Sequence, residues 1–325
     1  MRVLITGGAG FVGRHLVKRS LEEGYEVDCV DPIIPLTGGL ELDKWFDFDP
    51  RDFSAFNFYK VDCRDFFLAN MNEKYDNVFH AAAMVGGRLM IEDFPLSVAD
   101  DLSIDSHFWQ WTASSRPDNS ICFSSSAAYP INLQTYDNYR LLKEDDIDLS
   151  GDIGMPDLSY GWAKLTHEYL SKLAYEKHGI KSVIFRPFSG YGEDQDLSYP
   201  FPSICKRVLE QKGSRDIKVW GSGDQMRDFI HIDDCINGIF SMMEIMESND
   251  AVNLSTGKLT SFKEFASLAS NLAGFNPEVS GTSSKPEGVF ARGGDTTLQL
   301  EMKFKPKISF EDGIKRALNY FEKKI

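Results

Sequence analysis

The 325-residue chain is poor in cysteine, short of positive charge and without long apolar runs. Its five cysteines, Cys29, Cys63, Cys122, Cys205 and Cys235, are odd in number, widely scattered and never in a C-x-x-C pair. That argues against a disulfide framework and against a structural zinc site, so no metal centre is expected. Lys and Arg number 35 against 49 Asp and Glu, a formal net charge of −14. Nucleic acid and anionic membrane surfaces are therefore poor partners. No apolar run approaches the ~20 residues that a membrane span needs. The opening MRVLITGGAG lacks the basic-then-apolar order of a secretory leader, and a cytoplasmic location is the expectation.

What the first half does have is alternation. Apolar runs at Arg2–Thr6, Glu26–Val30, Asn57–Val61, Asn77–His80, Ser120–Phe123 and Lys181–Phe185 read as strands. Helical periodicity falls between them at Phe11–Glu23, Asp101–Ser114 and Tyr160–His178. This pattern predicts an α/β fold with a parallel sheet covered on both faces. Beyond Arg186 the pattern loosens: Pro200–Gln211 and Ser261–Ala273 read as helices, and Lys218–Trp220, Phe229–His231 and Ala251–Leu254 as strands. The expected division is residues 1–188, joined by elements from about 228–257, and a smaller interleaved carboxy-terminal lobe, 189–325. Pro32–Phe56 and Tyr129–Gly154 read as long irregular segments of the kind that carry function.

VLITGGAGFVG at Val3–Gly13 is a strand, a glycine turn and the start of a helix. Gly7 permits the tight turn, Gly10 lets a pyrophosphate approach the backbone, and Gly13 allows close helix–strand packing. Phe11 and Val12 open the helix, whose amino terminus offers N–H groups and partial positive charge to phosphates. Asp31 ends the second strand 18 residues beyond Gly13. A carboxylate there accepts both ribose hydroxyls of NAD and repels the extra phosphate of NADP, so a Rossmann-type, doubly wound sheet holding NAD is expected. Asp62 and Cys63, after the third strand, are candidates for the adenine edge. Ala81, Ala82 and Ala83, after the fourth, are candidates for room beside the dinucleotide. His80 reads as a satisfied core histidine.

Tyr160 and Lys164 lie four apart in YGWAK, which puts both on one helix face. A tyrosine pKa near ~10 needs roughly 3 units of lowering for base chemistry at neutral pH, which a nearby ammonium and an oxidised nicotinamide ring supply.

With TGGAGFVG and Ser124–Ser126, these residues carry a resemblance. The chain resembles the extended short-chain dehydrogenase/reductases that act on nucleotide sugars. AAAMVGG, SSSAAYP, RPFSGYG, VWGSGDQMRDFIHIDD and RGGD follow in that family's order, so the likeness runs over almost the whole length. The resemblance implies tightly held NAD, a nucleotide-diphosphate sugar as substrate and a homodimer. It makes Tyr160 the general base and acid, Ser125 the hydroxyl-orienting donor, and Lys164 the activator that also holds the nicotinamide ribose, with Pro187 beside the cofactor. It assigns Arg227 and Arg292 to the diphosphate, and Val85, Gly86, Gly87, Arg88, Ser126 and Ser189 to the substrate pocket. Ser189 stands where asparagine is common, and Asp101 where many members have a structural asparagine. Asp228, His231, Asp233 and Asp234 read as supports of the fold. For the dimer, the aromatic segment Phe108, Trp109, Trp111 is the expected exposed face.

The neighbours of Ser125 narrow the reaction that the resemblance implies. Ser126 and Ala127 replace the acidic residues of dehydratases. The surroundings are most similar to GDP-mannose 3,5-epimerases and GDP-fucose synthases, but Ala127 stands in place of their cysteine. Between Gly192 and Pro202 lie Glu193, Asp194, Asp196 and Tyr199 but no lysine or histidine. The expectation is therefore a 4-epimerase working by transient C4 oxidation, with GDP slightly favoured over UDP because of the Gly86–Gly87 pair. Its alternatives are a net C4 dehydrogenase or reductase, a 3,5-epimerase with unusual acid/base residues, and a non-catalytic NAD-binding regulator.

Overall fold

A computed structural model describes residues 1–84, 86–282 and 287–324. Seven strands form one parallel sheet: β1 (Arg2–Thr6), β2 (Glu26–Val30), β3 (Phe56–Tyr59), β4 (Asn77–His80), β5 (Asn119–Phe123), β9 (Ser182–Pro187) and β12 (Ala251–Leu254). Between β5 and β9 lie the short β6 (Gln134–Thr135), β7 (Asn138–Tyr139) and β8 (Leu141–Leu142). Across the main sheet the order is β12-β9-β5-β4-β1-β2-β3. The chain thus winds outward from β1 in both directions, and the strand order reverses between β1 and β4. Ligands of open α/β sheets bind at such a switch point, beyond the carboxyl ends of the strands.

The strands are apolar because both faces are covered. On one side α1 (Phe11–Glu22) and α8 (Ile232–Met242) pack over Val3, Ile5, Phe79, Ile121 and Phe185. On the other, α2 (Cys63–Ala69), α5 (Asp101–Ser115) and α6 (Leu158–His178) cover Leu4, Val78, Cys122 and Ile184. The short α3 (Arg88–Asp93) and α4 (Pro95–Val98) precede α5. A second core fills the carboxy-terminal lobe, where Phe201 of α7 (Pro200–Glu210), Phe265 of α9 (Phe262–Leu272) and Phe310 of α11 (Phe310–Glu322) gather around Phe229. Its strands are β10 (Asp216–Trp220), β11 (Met226–Asp228), β13 (Leu259–Ser261), β14 (Glu278–Thr282) and β15 (Ala291–Gly294), and α10 (Thr297–Glu301) precedes α11. The small sheet β13-β11-β15-β8 draws β8, from the segment after Ser125, against the carboxy-terminal lobe. α8 and β12 return to the main sheet, so the two regions interleave.

Two expectations need correction. Phe229–His231 is not a strand: β11 ends at Asp228, Phe229 and Ile230 enter the core, and the His231 ring caps α8 by accepting from Asp233 N at 3.1 Å. The segments 32–56 and 129–154 are irregular, punctuated by short 3-10 turns and, in the second, by the two-residue strands β6–β8. Phe108, Trp109 and Trp111 are not exposed: Phe108 and Trp111 are buried against Phe67, Phe108 also against His80, and Trp109 against Phe108 and His167, while Leu102, Leu158, Trp162, Tyr169 and Tyr175 are the large exposed apolar residues of α5 and α6. The ring count of this stretch reflects the depth of the groove between α2 and α6, not a face left open. Among the described residues, no helix is long and apolar enough to cross a membrane.

Candidate active site

The glycine turn is built by close approach. Gly7 has φ +70°, and a Cβ on it would lie 2.6 Å from Ala82 N and 2.7 Å from Ala81 O. A Cβ on Gly13 would lie 2.0 Å from Gly7 O, so α1 can start here only on glycine. Gly10 caps α1 without any side-chain bond, which leaves the first-turn N–H groups for an anion. Asp31 is buried, and its two oxygens accept from Ala9 N at 3.1 Å and Ile33 N at 2.6 Å. A carboxylate has about four acceptor sites, so two remain for ribose hydroxyls. These residues fit NAD. Phe11 and Val12 leave only their backbone for a cofactor: the Phe11 ring packs on Gly192 and edge-on to His15, and Val12 joins the core. The same holds for Cys63, whose thiol is buried among Phe66, Phe67 and Tyr75. Asp62 caps α2 and pairs with Arg64 at 2.7 Å. Ala81, Ala82 and Ala83 follow β4 beside Gly7, and Pro187 ends β9.

Ser125 caps the 3-10 turn Ser126–Ala128, its oxygen accepting from Ala127 N at 3.1 Å. Tyr160 and Lys164 come from the first turns of α6, with the Lys164 Nζ 5.6 Å from the Tyr160 ring centre. The three expected catalytic groups thus come together, Lys164 and Ser125 both acting to lower the proton affinity of the phenol. Burial nevertheless outweighs Lys164 and Ser125, and the phenol's pKa stands above its ordinary value rather than near neutrality. Positive charge brought by a bound cofactor would act in the same direction as Lys164. Lys164 is itself a firm cation: burial opposes its charge, but Tyr160, Asp101 and Asp105 raise it to about 12. Ser124, by contrast, is structural and donates to Glu168. Ser126 is buried in the turn.

Sequence reasoning missed the layer behind Lys164. His80 is a satisfied core histidine, bonded to Thr6 Oγ1 at 2.8 Å and Asp105 Oδ1 at 3.2 Å, and burial lowers it to about 4, leaving it neutral. Burial also opposes charge on His167, but Asp105, 3.0 Å away, holds it protonated up to about 10. Asp101 accepts from Met84 N, and its other oxygen is buried with no partner among the described residues. Burial raises this carboxyl to about 6 despite Lys164.

Above Tyr160, β11 and β15 pair in parallel with Arg227 opposite Arg292. Like charges directly opposite on neighbouring strands repel, so this register serves something other than stability. Arg292 reaches Asp157 Oδ2 at 2.8 Å and Gln134 Oε1 at 2.6 Å. Arg88 reaches Asp157 at 2.9 and 3.0 Å and Glu92 at 2.6 Å. Among the described residues Arg227 donates only to the Met226 and Val289 carbonyls, and burial, with Arg292 and Arg88, lowers it to about 9. Asp157, the residue capping α6, carried no sequence signal beyond its place three residues before Tyr160. The Gly86–Gly87 pair answers to packing: a Cβ on Gly86 would lie 2.6 Å from Met90 Sδ, and on Gly87 2.2 Å from Ser198 O. Ser189 has φ +38°, a left-handed conformation that asparagine tolerates better than most residues. Val85, also expected in the pocket, lies outside the described residues.

The acids of the 192–202 segment are occupied. Glu193 sits 3.2 Å from His231, Asp194 pairs with Arg14 at 2.6 Å and His15 at 3.1 Å, and Asp196 accepts from Ser198 N at 2.8 Å. Burial and the neighbouring Tyr160 push the Tyr199 phenol up. Asp228 and Asp234 support the fold, accepting from Thr256 and Gly257 and from Lys307 and Ile308.

Comparison with known proteins gives the family. The chain is 26% identical to a putative UDP-glucose 4-epimerase of Methanocaldococcus jannaschii, over 98% of each chain. It is 28% identical to a GDP-L-fucose synthase of Azorhizobium caulinodans, over 98% of this chain and 96% of that one. A Bacillus cereus UDP-glucuronic acid 4-epimerase in complex with UDP-glucuronic acid and NAD superposes with TM-score 0.81 at 24% identity, all of both chains covered. The Thermotoga maritima UDP-glucose 4-epimerase gives 0.82, also at 24%, covering 100% of this chain and 99% of that one; these two superpositions speak to fold. The family model for the NAD dependent epimerase/dehydratase family matches residues 3–255. With its glycine turn, Asp31 and the Ser125–Tyr160–Lys164 set in place, the chain belongs to the NAD dependent epimerase/dehydratase family.

Proposed function

We propose that the protein is a nucleotide-diphosphate-sugar 4-epimerase. One arrangement supports the reading: Ser125 and Lys164 lie near Tyr160, while Glu193, Asp194 and Asp196 are committed elsewhere. Proton removal at C3 or C5 requires a second acid/base pair. Oxidation at C4 requires only one phenol.

NAD, when bound, takes up hydride from the sugar and returns it. The chain's own residues do the rest. The glycine turn and Asp31 hold the dinucleotide. Arg227 and Arg292 hold the diphosphate, with Arg88 beside Arg292 on Asp157, guanidinium forks being matched to pyrophosphate oxygens. Ser125 orients the C4 hydroxyl, and Tyr160 removes its proton while Lys164 stabilises the phenolate. After the keto-sugar turns over about its diphosphate anchor, Tyr160 returns the proton to the opposite configuration. The local arginines reconcile an anionic substrate with a formal charge of −14, because distant surface charge is screened within about 10 Å.

Purified protein incubated with GDP- and then UDP-hexoses tests this. The expected product is the C4 epimer without net change in cofactor redox state, and in Tyr160→Phe a turnover loss of about 10²–10⁴. Stoichiometric reduction of cofactor with no epimer would establish a net C4 dehydrogenase instead.

A further inference from the structure

Asp157 joins three parts of the site that are far apart in sequence. Its carboxylate holds Arg88, from the start of α3, and Arg292, from β15. Its backbone N–H donates to Ala127 O at 2.9 Å, in the turn that follows Ser125, and its carbonyl receives Gly161 N at 2.9 Å, next to Tyr160. Gly161 is wedged there, since a Cβ on it would lie 2.4 Å from the same Ala127 oxygen. Between Asp157 and Tyr160, Leu158 has φ +54°. A leucine in the left-handed region is strained and persists only when both flanks are held. One flank is held by Gly161 against the Ser125 turn, the other by two guanidinium groups on Asp157.

We propose that Asp157 is a positioning residue that couples capture of the substrate diphosphate to the seating of Tyr160 against Ser125; this rests on the diphosphate reading above. The diphosphate competes with Asp157 for the same guanidinium forks. As it draws on Arg88 and Arg292, the hold on Asp157 changes, and the strained Leu158 passes that change to the first turn of α6. Substrate anchoring and alignment of the phenol then occur together.

The test is a spectroscopic titration of the NAD-loaded protein. Ultraviolet phenolate absorbance is taken as the difference from Tyr160→Phe, with and without UDP or GDP. In the unaltered protein the nucleoside diphosphate is expected to move the Tyr160 midpoint by about half a pH unit or more, roughly a threefold change in the phenolate ratio. Asp157→Asn is expected to bind the same nucleotide, by calorimetry, without moving the midpoint, and Asp157→Glu to regain the response. An undiminished response in Asp157→Asn overturns the proposal, as does a bound nucleotide with no response in the unaltered protein. Loss of nucleotide binding in Asp157→Asn also overturns it, because Asp157 would then merely build the phosphate site. If neither UDP nor GDP binds the unaltered protein, the diphosphate reading itself fails, a result separate from the coupling. Should Asp157→Asn not fold, Arg88→Gln leaves Asp157 to Arg292 alone and is expected to shrink the shift; an unchanged shift there overturns the coupling.

Discussion

Behind Tyr160, the cations Lys164 and His167 meet the anions Asp105 and Asp101, whereas in front of it Arg88 and Arg292 share one buried carboxylate, Asp157, and Arg227 beside them has none among the described residues. The first cluster balances at neutral pH and the second does not. Buried charge without a partner is costly, so a balanced cluster is what folding alone would produce. The unbalanced one lies against the cleft, where a doubly charged diphosphate would complete it. Glu92, paired with Arg88, is only partly buried and offsets little of the excess.

That contrast can be broken at several points. The largest effect is expected from Asp105→Asn, which strips His167 of its counter-ion. Removing one partner of a buried pair costs about 3–5 kcal/mol, so thermal unfolding should fall steeply. A small change in melting temperature would mean that the rear cluster is not closed on itself.

Asp101→Asn comes next and depends on pH. The carboxyl is raised from its model-peptide value to about 6 by burial, so the folded protein binds this proton more tightly than the unfolded chain. Its stabilising contribution is complete below about pH 4 and is lost as pH rises through about 6. The neutral asparagine escapes that loss, so the variant should be more stable by up to roughly 3 kcal/mol at pH 8 and equal to the parent at pH 4. Denaturant melts at the two pH values measure this, and equal gains at both would contradict it.

The smallest effect on stability, and a clear one on binding, is expected from Arg227→Gln. Losing a charge-assisted bond weakens nucleoside diphosphate binding by about 1.5–3 kcal/mol, or 10- to 150-fold. Because Arg227 has no carboxylate among the described residues, the free variant should melt no lower than the parent. A destabilised variant with undiminished binding would place Arg227 with the rear cluster.

The cofactor half of the site was legible because its signals are local. Gly7, Gly10, Gly13 and Asp31 lie within one strand–turn–helix–strand unit, and Tyr160 and Lys164 on one helical turn. The rear cluster was not, because His80, Asp105 and His167 sit on β4, α5 and α6, and nothing in their sequence spacing brings them together. The aromatic run Phe108–Trp111 misled for the same reason: periodicity finds an apolar helix but not the depth of the groove that receives it. Phe229–His231 has the composition of a strand, yet a helix cap at His231 ends the extended run early.

By itself the sequence determined the parallel α/β class, the dinucleotide turn and the phenol–ammonium pair, since each depends on neighbours within a few residues. Only the tertiary structure decided that Arg227 and Arg292 lie side by side, that Asp157 ties Arg88 and Arg292 to the helix of Tyr160, and that burial raises the proton affinity of that phenol. Charge strength and proton affinity are set by what surrounds a group in three dimensions, and those surroundings come from segments up to 204 residues apart, as between Arg88 and Arg292.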